Sequence, residues 1–438
     1  MNQETFIIKG LAGEKSLKGA VHINGAKNSV LKAQAASILF ADPLIIKNMP
    51  DTADVRKLSD MLIKAGAKIS CDKSEKSATF DTSEMTSVID QELAVSMRGS
   101  VMLTGPMLAR FGKVSFPAPG GCVIGARPIN LFLSGYESMG ATVELVDCNY
   151  VITAPAGGLK AAEIFFPIQT VGGTETLMMA AVLANGTTVL KNCAMEPEIQ
   201  NLAEYLVSCG AKIKGIGTTT LEIVGAGPKG LLHSKGKAFV TIPDRIEAGS
   251  FLFLGAVCAE ELMVADCEPK HLEAVTSLLK ESGVKLEIGK DFVKIVDNKK
   301  INLKDLKGAS VRTHEYPGFP TDVQAPLVAF LTQVGGESEV FETIYEGRFK
   351  YTQDLVRMGA SIETLNSREI KIAGSASYTA LAEPIQAFDI RAGFATVIAA
   401  LSAKGTSTVT NVHLIDRGYE ALEGRLKALG ADIQRVSK

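Results

Sequence analysis

The sequence predicts an α/β protein of two similar domains, each built from three βαβαββ-type units. Three observations carry this. A short phrase recurs six times along the 438 residues, a second series of apolar helices interleaves with it, and a Gly/Pro/Lys-rich stretch falls between the third and fourth copies. The recurring phrase is an apolar helix end, a glycine, a small residue and an apolar strand start. It reads MLIKAGAKI, YESMGATVEL, YLVSCGAKI, LLKESGVKL, LVRMGASI and RLKALGADI. Its glycines, Gly66, Gly140, Gly210, Gly283, Gly359 and Gly430, are separated by 74, 70, 73, 76 and 71 residues, so a period near 73 fills the chain.

Such a glycine predicts a helix that stops on a residue with positive φ and passes at once into a strand. In the last copy Leu422, Leu426 and Leu429 form the buried stripe of an amphipathic helix. Thr187–Leu190, Leu262–Ala265 and Thr406–Thr410 have strand character upstream of these helices. The second series comprises GAKNSVLKAQAASILFA, MRGSVMLTGPMLARF, VGGTETLMMAAVLA, RIEAGSFLFLGAVCA, PTDVQAPLVAFLTQV and IRAGFATVIAALSA. These segments are small and apolar nearly all round and should be buried inner helices. Polar residues mark their starts: Lys27, Arg98, Thr170, Arg245, Asp322 and Arg391. Helix N-termini favour anions, so six such starts are six candidate anion positions. Gly225–Lys237 is the expected linker. The expected domains are residues 23–237, and residues 1–22 together with 238–438.

Composition narrows the function. Lys plus Arg total 46 and Asp plus Glu 48, a net charge of -2, which argues against a protein that coats nucleic acid or an anionic membrane. The apolar run Phe251–Ala259 is about half the ~20 residues of a bilayer span, and Met1–Leu11 lacks the layout of a signal peptide. Seven cysteines, scattered and without a CxxC pair, point to a reducing cytoplasm with no disulfide framework and no zinc site. There is no Walker A pattern and no strand–GxGxxG–helix unit, which argues against a nucleotide hydrolase or a dinucleotide enzyme.

Three places carry candidate chemistry. PAPGGCVIGARP, residues 117–128, is too rich in proline and glycine for a regular element, and it holds Cys122 with Arg127 five residues on. A lone cysteine is most often a small buried hydrophobe; in a glycine-rich loop it is a candidate reactive thiol. Asp322, in PGFPTDVQAP, reads either as a helix cap or as a general base. Asp244 and Glu247 in PDRIEAG share that ambiguity, with an arginine ion pair as the structural alternative. Finally, Arg98, Arg127, Arg348, Arg391 and Arg417 mostly stand beside small or apolar neighbours, and Lys27 stands at a helix start. Arginine forks suit phosphate and carboxylate, so the set points to a substrate bearing both.

The phrases NGAKN, MRGSVMLTGPMLARFG, PGGCVIGARP, PDRIEAG, FPTDVQAP, EGRF, DIRAG and IDRGYE, in this order over nearly the whole chain, resemble the UDP-N-acetylglucosamine 1-carboxyvinyltransferase family of enolpyruvyl transferases. The resemblance implies two inside-out α/β barrel domains, with the N-terminal strand packed in the second. It implies transfer of enolpyruvyl from phosphoenolpyruvate to the 3'-hydroxyl of UDP-N-acetylglucosamine, with release of phosphate, in peptidoglycan precursor synthesis. No cofactor or metal is implied, and no nucleic-acid, membrane or obligate protein partner. Position by position, Cys122 matches the loop cysteine that donates a proton and Asp322 the carboxylate that takes one from the sugar hydroxyl. Lys27, Arg127 and Arg417 match residues that hold phosphoenolpyruvate, and Arg348 and Arg391 match arginines near the transferring group. Asn28, Arg98, Asp322 and Ile344 match the UDP-sugar site, with the stretches Pro128, Ile129, Asn130, Leu131 and Ile168, Gln169, Thr170, Val171 beside the nucleotide.

The chain departs from the family pattern in that nucleotide region. Asn130 stands where an acidic residue is usual, Phe132 where histidine is frequent, and Ile168 and Thr170 where lysine and serine are usual. Two alternatives therefore stay open: transfer to a different nucleotide-sugar acceptor, and a non-catalytic UDP-sugar-binding paralogue. Retention of Cys122, Asp322 and the basic set argues against the second.

Overall fold

The computed structural model describes residues 4–117 and 129–437. The chain divides into two compact units, one formed by Gly25–Ile242 and the other by Met1–Asn24 with Pro243–Lys438. Each has its own apolar core. Among the described residues the strands form six sheets, three per unit.

One βαβαββ pattern recurs. In its third copy a short strand, Glu163–Phe165, leads into an inner helix, and Asn185–Lys191 returns parallel to it. The outer helix Pro197–Ser208 follows, and then Lys212–Lys214 and Thr220–Ala226 complete the sheet antiparallel. In the second copy the first strand is reduced to a single parallel bridge between Val88 and Ser115. The strands expected at 187–190, 262–265 and 406–410 lie within Asn185–Lys191, Ala259–Ala265 and Thr406–Thr410.

The inner helices are α1 (Lys27–Ala36), α2 (Thr104–Phe111), α3 (Val171–Val182), α4 (Arg245–Cys258), α5 (Gln324–Leu331) and α6 (Ile390–Ser402). Their lack of a polar face is explained by burial: every residue of α4 after Arg245 and every residue of α5 is buried. In the second unit α4, α5 and α6 pack on one another, with Phe251 edge-on to Phe394 at 5.3 Å and Phe253 5.6 Å from Phe330. Three inner helices are closed at the start by a side chain. Thr170 accepts from Gly173 N–H, Asp244 from Ile246 and Glu247 N–H, and Asp389 from Arg391 and Ala392 N–H. At these three of the six starts the caps already occupy first-turn donors.

The outer helices all stop as the glycines predict. The six glycines have φ of +105°, +86°, +107°, +104°, +119° and +100° in chain order. In every copy the glycine N–H bonds the carbonyl three residues back and the next N–H the carbonyl five back, as in Gly66 to Ile63 and Ala67 to Leu62. This paired closure satisfies the last carbonyls of the helix and turns the chain into the next strand. Leu422, Leu426 and Leu429 are buried as the stripe requires.

The chain passes between units after Asn24 and after Ile242. Strand Leu17–His22 pairs with Ala259–Ala265, and Ala238–Val240 pairs with Leu44–Lys47. Leu17–His22 thus serves as first strand to the strand that follows α4, and Ala238–Val240 to the strand that follows α1, while the helix next in the chain, α1 or α4 respectively, folds in the other body. The N-terminal strand Glu4–Lys9 lies between Thr406–Thr410 and Ile433–Ser437. Gly225–Lys237 is not a linker: it begins in strand Thr220–Ala226, Leu232 bridges Phe40, and Asp42 accepts hydrogen bonds from the Ser234 and Lys235 N–H groups. Its glycines and its one proline, Pro228, lie in a return of the chain within Gly25–Ile242.

Candidate active site

In the unit containing residues 243–438, Pro320 ends the preceding extended chain and a 3₁₀ turn, Thr321–Val323, starts α5. Asp322 lies in that turn, and no side-chain cap is formed there. Its Oδ1 accepts from Arg348 Nη2 at 2.8 Å and its Oδ2 from Arg391 Nη2 at 3.4 Å. Both arginines are buried, while the Asp322 side chain is 30% exposed. The Asp322 oxygens are thus directed to two arginines, an ion-paired arrangement.

Burial pulls down the proton affinity of both guanidiniums, and their neighbours reverse the effect. Asp322, Asp389 and Glu342 hold Arg348 above the ordinary arginine value. Tyr419, Asp322 and Asp244 do the same for Arg391. Arg391 lies 5.4 Å from the Tyr419 ring, and Tyr419 OH bonds Ser250 Oγ at 2.8 Å. Arg391 Nη1 has no hydrogen-bond partner among the described residues. Ile344 donates its N–H to Glu342, and Arg417 is half-buried after the turn Val412–Leu414. Asp244 and Glu247 take the structural reading: Asp244 caps α4, and Glu247 pairs with Arg425 and accepts from Asn24 N–H.

In the Gly25–Ile242 unit, Lys27 opens α1 and its Nζ lies 3.2 Å from Asp54 Oδ2, with both residues buried. Asn28 is half-buried beside it. Gln169 Nε2 donates to Cys193 O at 3.2 Å, Thr170 caps α3, and Val171 is half-buried. Ile168 is 59% exposed. Ile129 is buried, Asn130 is exposed at the start of helix Asn130–Ser138, and Leu131 is half-buried. Phe132 is a core residue, edge-on to Tyr136 at 6.4 Å. Cys122, Arg127 and Pro128 lie outside the described residues, and of Arg98 only the backbone is described, at the head of the 3₁₀ segment Arg98–Leu103.

Sequence reasoning missed Asp54, Glu342 and the pair Glu175–Lys32. Glu175 lies fully buried in α3 with Lys32 Nζ 3.3 Å away. Burial pushes its carboxyl up to about 8; Lys32 opposes the shift, and Glu198 and Glu196 add to it. A charged letter inside a segment otherwise small and apolar was the available signal.

Six βαβαββ units, and a carboxylate held by buried arginines at the head of an inner helix, define an enolpyruvyl-transferase type of protein. A model of the family EPSP synthase (3-phosphoshikimate 1-carboxyvinyltransferase) matches residues 11–426, and the chain belongs to that family. Among its relatives, the Koribacter versatilis protein named UDP-N-acetylglucosamine 1-carboxyvinyltransferase is 42% identical, covering 99% of this chain and 97% of its own. The Campylobacter fetus protein of the same name is 41% identical over 98% and 99%. Among solved structures, the enolpyruvyl transferase NikO from Streptomyces tendae shares the fold over the whole of both chains, with a TM-score of 0.88 at 24% identity. EPSP synthase from Acinetobacter baumannii does so with a TM-score of 0.71 at 17% identity, over 99% of this chain and all of its own.

Proposed function

We infer that the protein transfers enolpyruvyl from phosphoenolpyruvate to the 3'-hydroxyl of UDP-N-acetylglucosamine and releases phosphate, the first committed step of peptidoglycan precursor synthesis. Full-length relatives at about 42% identity bear the name of that activity. The single observation that carries the chemistry is Asp322, a carboxylate partly open to water and held by Arg348 and Arg391.

The reaction adds the sugar oxygen to C2 of phosphoenolpyruvate while a proton reaches C3, and the tetrahedral ketal then loses that C3 proton and expels phosphate. Asp322 takes the proton from the hydroxyl and Cys122 delivers the one to C3. The Asp322 carboxylate accepts from two guanidiniums. Phosphoenolpyruvate brings a phosphate and a carboxylate that compete for the same donors, and Arg391 Nη1 is a donor the described residues leave unused. As the arginines turn to the substrate, an oxygen of Asp322 is released to accept the hydrogen bond of the acceptor hydroxyl. On the family resemblance Lys27, Arg127 and Arg417 hold phosphoenolpyruvate, and cations of this kind stabilise the two charges of the ketal. On this reading the protein works in the cytoplasm; no helix among the described residues is long and apolar enough to cross a membrane.

A second acceptor class is favoured by one observation. Ile168 and Asn130 stand exposed where the family pattern has lysine and an acid, so contacts to the nucleotide differ. Phosphate release measured with UDP-N-acetylglucosamine against a panel of UDP-sugars decides both points. Turnover with UDP-N-acetylglucosamine supports the first reading, turnover only with another UDP-sugar supports the second, and none with any acceptor refutes enolpyruvyl transfer.

A further inference from the structure

The repeat is broken at one informative place. In four units the residue just past the strand that follows the inner helix is Asn48, Asn192, Asp266 or Asn411, and each takes the left-handed conformation, with φ of 54°, 59°, 55° and 58°. Three of these side chains reach sideways to the end of the neighbouring parallel strand. Asn48 Nδ2 donates to Thr241 O at 3.0 Å, Asn192 Nδ2 donates to Phe166 O at 2.8 Å, and Asp266 Oδ2 lies 2.7 Å from His22 Nδ1. In the unit that carries Asp322 the same position, after strand Glu337–Phe341, is Glu342, and it does not make the left-handed turn. The sideways tie moves to the next residue: Thr343 N–H donates to Thr313 Oγ1 at 2.9 Å and Thr343 Oγ1 to Thr313 O at 2.6 Å.

Glu342 is thereby free to turn inward, and it is fully buried. Its Oε1 accepts from the N–H groups of Ile344 at 2.9 Å and Tyr345 at 3.0 Å, and its Oε2 accepts from Thr321 Oγ1 at 2.8 Å. Thr321 Oγ1 accepts in turn from Arg348 Nη1, whose other arm, Nη2, holds Asp322. We propose that Glu342 is a positioning residue for the transfer reaction, setting Arg348 and Asp322 through the hydroxyl of Thr321. The proposal rests on the reading of Asp322 and Arg348 as reaction residues.

The chemistry follows from proton counting. A threonine hydroxyl has one proton, and donating it to Glu342 leaves the oxygen's lone pairs facing Arg348. The planar guanidinium then has one arm on Thr321 and the other on the adjacent Asp322, which fixes its plane. The same carboxylate holds the N–H of Tyr345, whose ring lies 5.2 Å from Arg348 Cζ. A fully buried carboxylate is a costly way to join two segments when apolar packing would serve, and the other described units make their turn without one.

The test is a double-mutant cycle on phosphate release, with kcat, KM and the urea midpoint measured for Glu342→Gln, Thr321→Val and the double variant. Glu342→Gln keeps the size but can place an N–H against Thr321, turning the hydroxyl proton towards Arg348. Its kcat should fall roughly 10- to 100-fold, the scale of one charge-assisted hydrogen bond, with KM for the UDP-sugar changed by less than about threefold. Thr321→Val should do the same, and the double variant should be no slower than the slower single one, because both cut one relay. Losses that multiply in the double variant, or a stability loss with kcat intact, overturn the proposal. Should Glu342→Gln fail to fold, Thr321→Val alone decides it by its kcat. Asp322→Asn run alongside separates the two levels: if it keeps the wild-type rate the site reading fails, whereas if it loses the rate and Glu342→Gln does not, only the positioning role fails.

Discussion

Asp322→Asn isolates charge from shape at the centre of the candidate site. The aspartate offers one oxygen to Arg348 and the other to Arg391. The amide keeps one acceptor, so whichever arginine meets Nδ2 faces donor against donor, and two buried cations lose the anion between them. Breaking a fully buried pair costs about 3–5 kcal/mol. The Asp322 side chain is 30% exposed, and water screens part of that, so we expect a destabilisation of about 2 kcal/mol. The catalytic loss should be larger, since a positioned general base is worth about 10²–10⁴ in rate. Urea unfolding reads the first quantity, and phosphate release at saturating phosphoenolpyruvate and UDP-N-acetylglucosamine reads the second. A variant that turns over within tenfold of the wild type refutes Asp322 as the base, whatever its stability. An unchanged urea midpoint refutes the ion-pair account.

Fosfomycin should inactivate the protein and add its mass at Cys122; label on another cysteine, or none, removes Cys122 from the mechanism, and Cys122→Ser should nearly abolish phosphate release. Glu175 has its carboxyl raised to about 8 by burial, so the fold favours the neutral form. That contribution is complete below the ordinary carboxyl value and is lost as pH rises towards 8, at up to about 1.4 kcal/mol per pH unit. Stability should therefore fall more steeply between pH 5 and pH 8 in the wild type than in Glu175→Gln, and parallel curves would exclude it. Gly430→Ala meets no atom within 4 Å, so only its φ of +100° is at stake and about 1–2 kcal/mol should be lost. Gly66→Ala, whose added Cβ would lie 2.8 Å from Glu84 O, should lose more. Equal urea midpoints for the two variants would contradict that ordering.

The architecture was legible because its signal is local. A helix that must stop on positive φ and run straight into a strand leaves glycine and a small residue at one spacing, and six copies made the period unmistakable. Buried inner helices were legible for a similar reason, having no polar face to hide. What stayed hidden were partners distant in sequence. Lys27 gave no sign of Asp54, and nothing near Asp322 pointed to Glu342. Gly225–Lys237 misled because glycine and proline serve a tight return inside a domain as readily as a link between domains. Asp322 was ambiguous in sequence because a cap and a base use the same letter at the same helix position; only the direction of its oxygens separates them. Phe132, a departure in the nucleotide stretch, proves to be core packing, which leaves Asn130 and Ile168 as the exposed departures that bear on acceptor choice.

The six inner helices also show where the repeat gives up stability. Thr170, Asp244 and Asp389 close the starts of α3, α4 and α6 with side-chain caps, each worth about 1 kcal/mol. The starts of α1, α2 and α5 have no such cap. Selection for stability alone would place a Ser, Thr, Asp or Asn cap at all six. Two of the uncapped starts are those of Lys27 and of Asp322, whose side chain goes to two arginines instead of to its own helix. Arg391 stands in the capped α6, so a cap does not bar a helix from presenting a reaction residue; at α1 and α5 the starts carry Lys27 and Asp322 with no side-chain cap of their own.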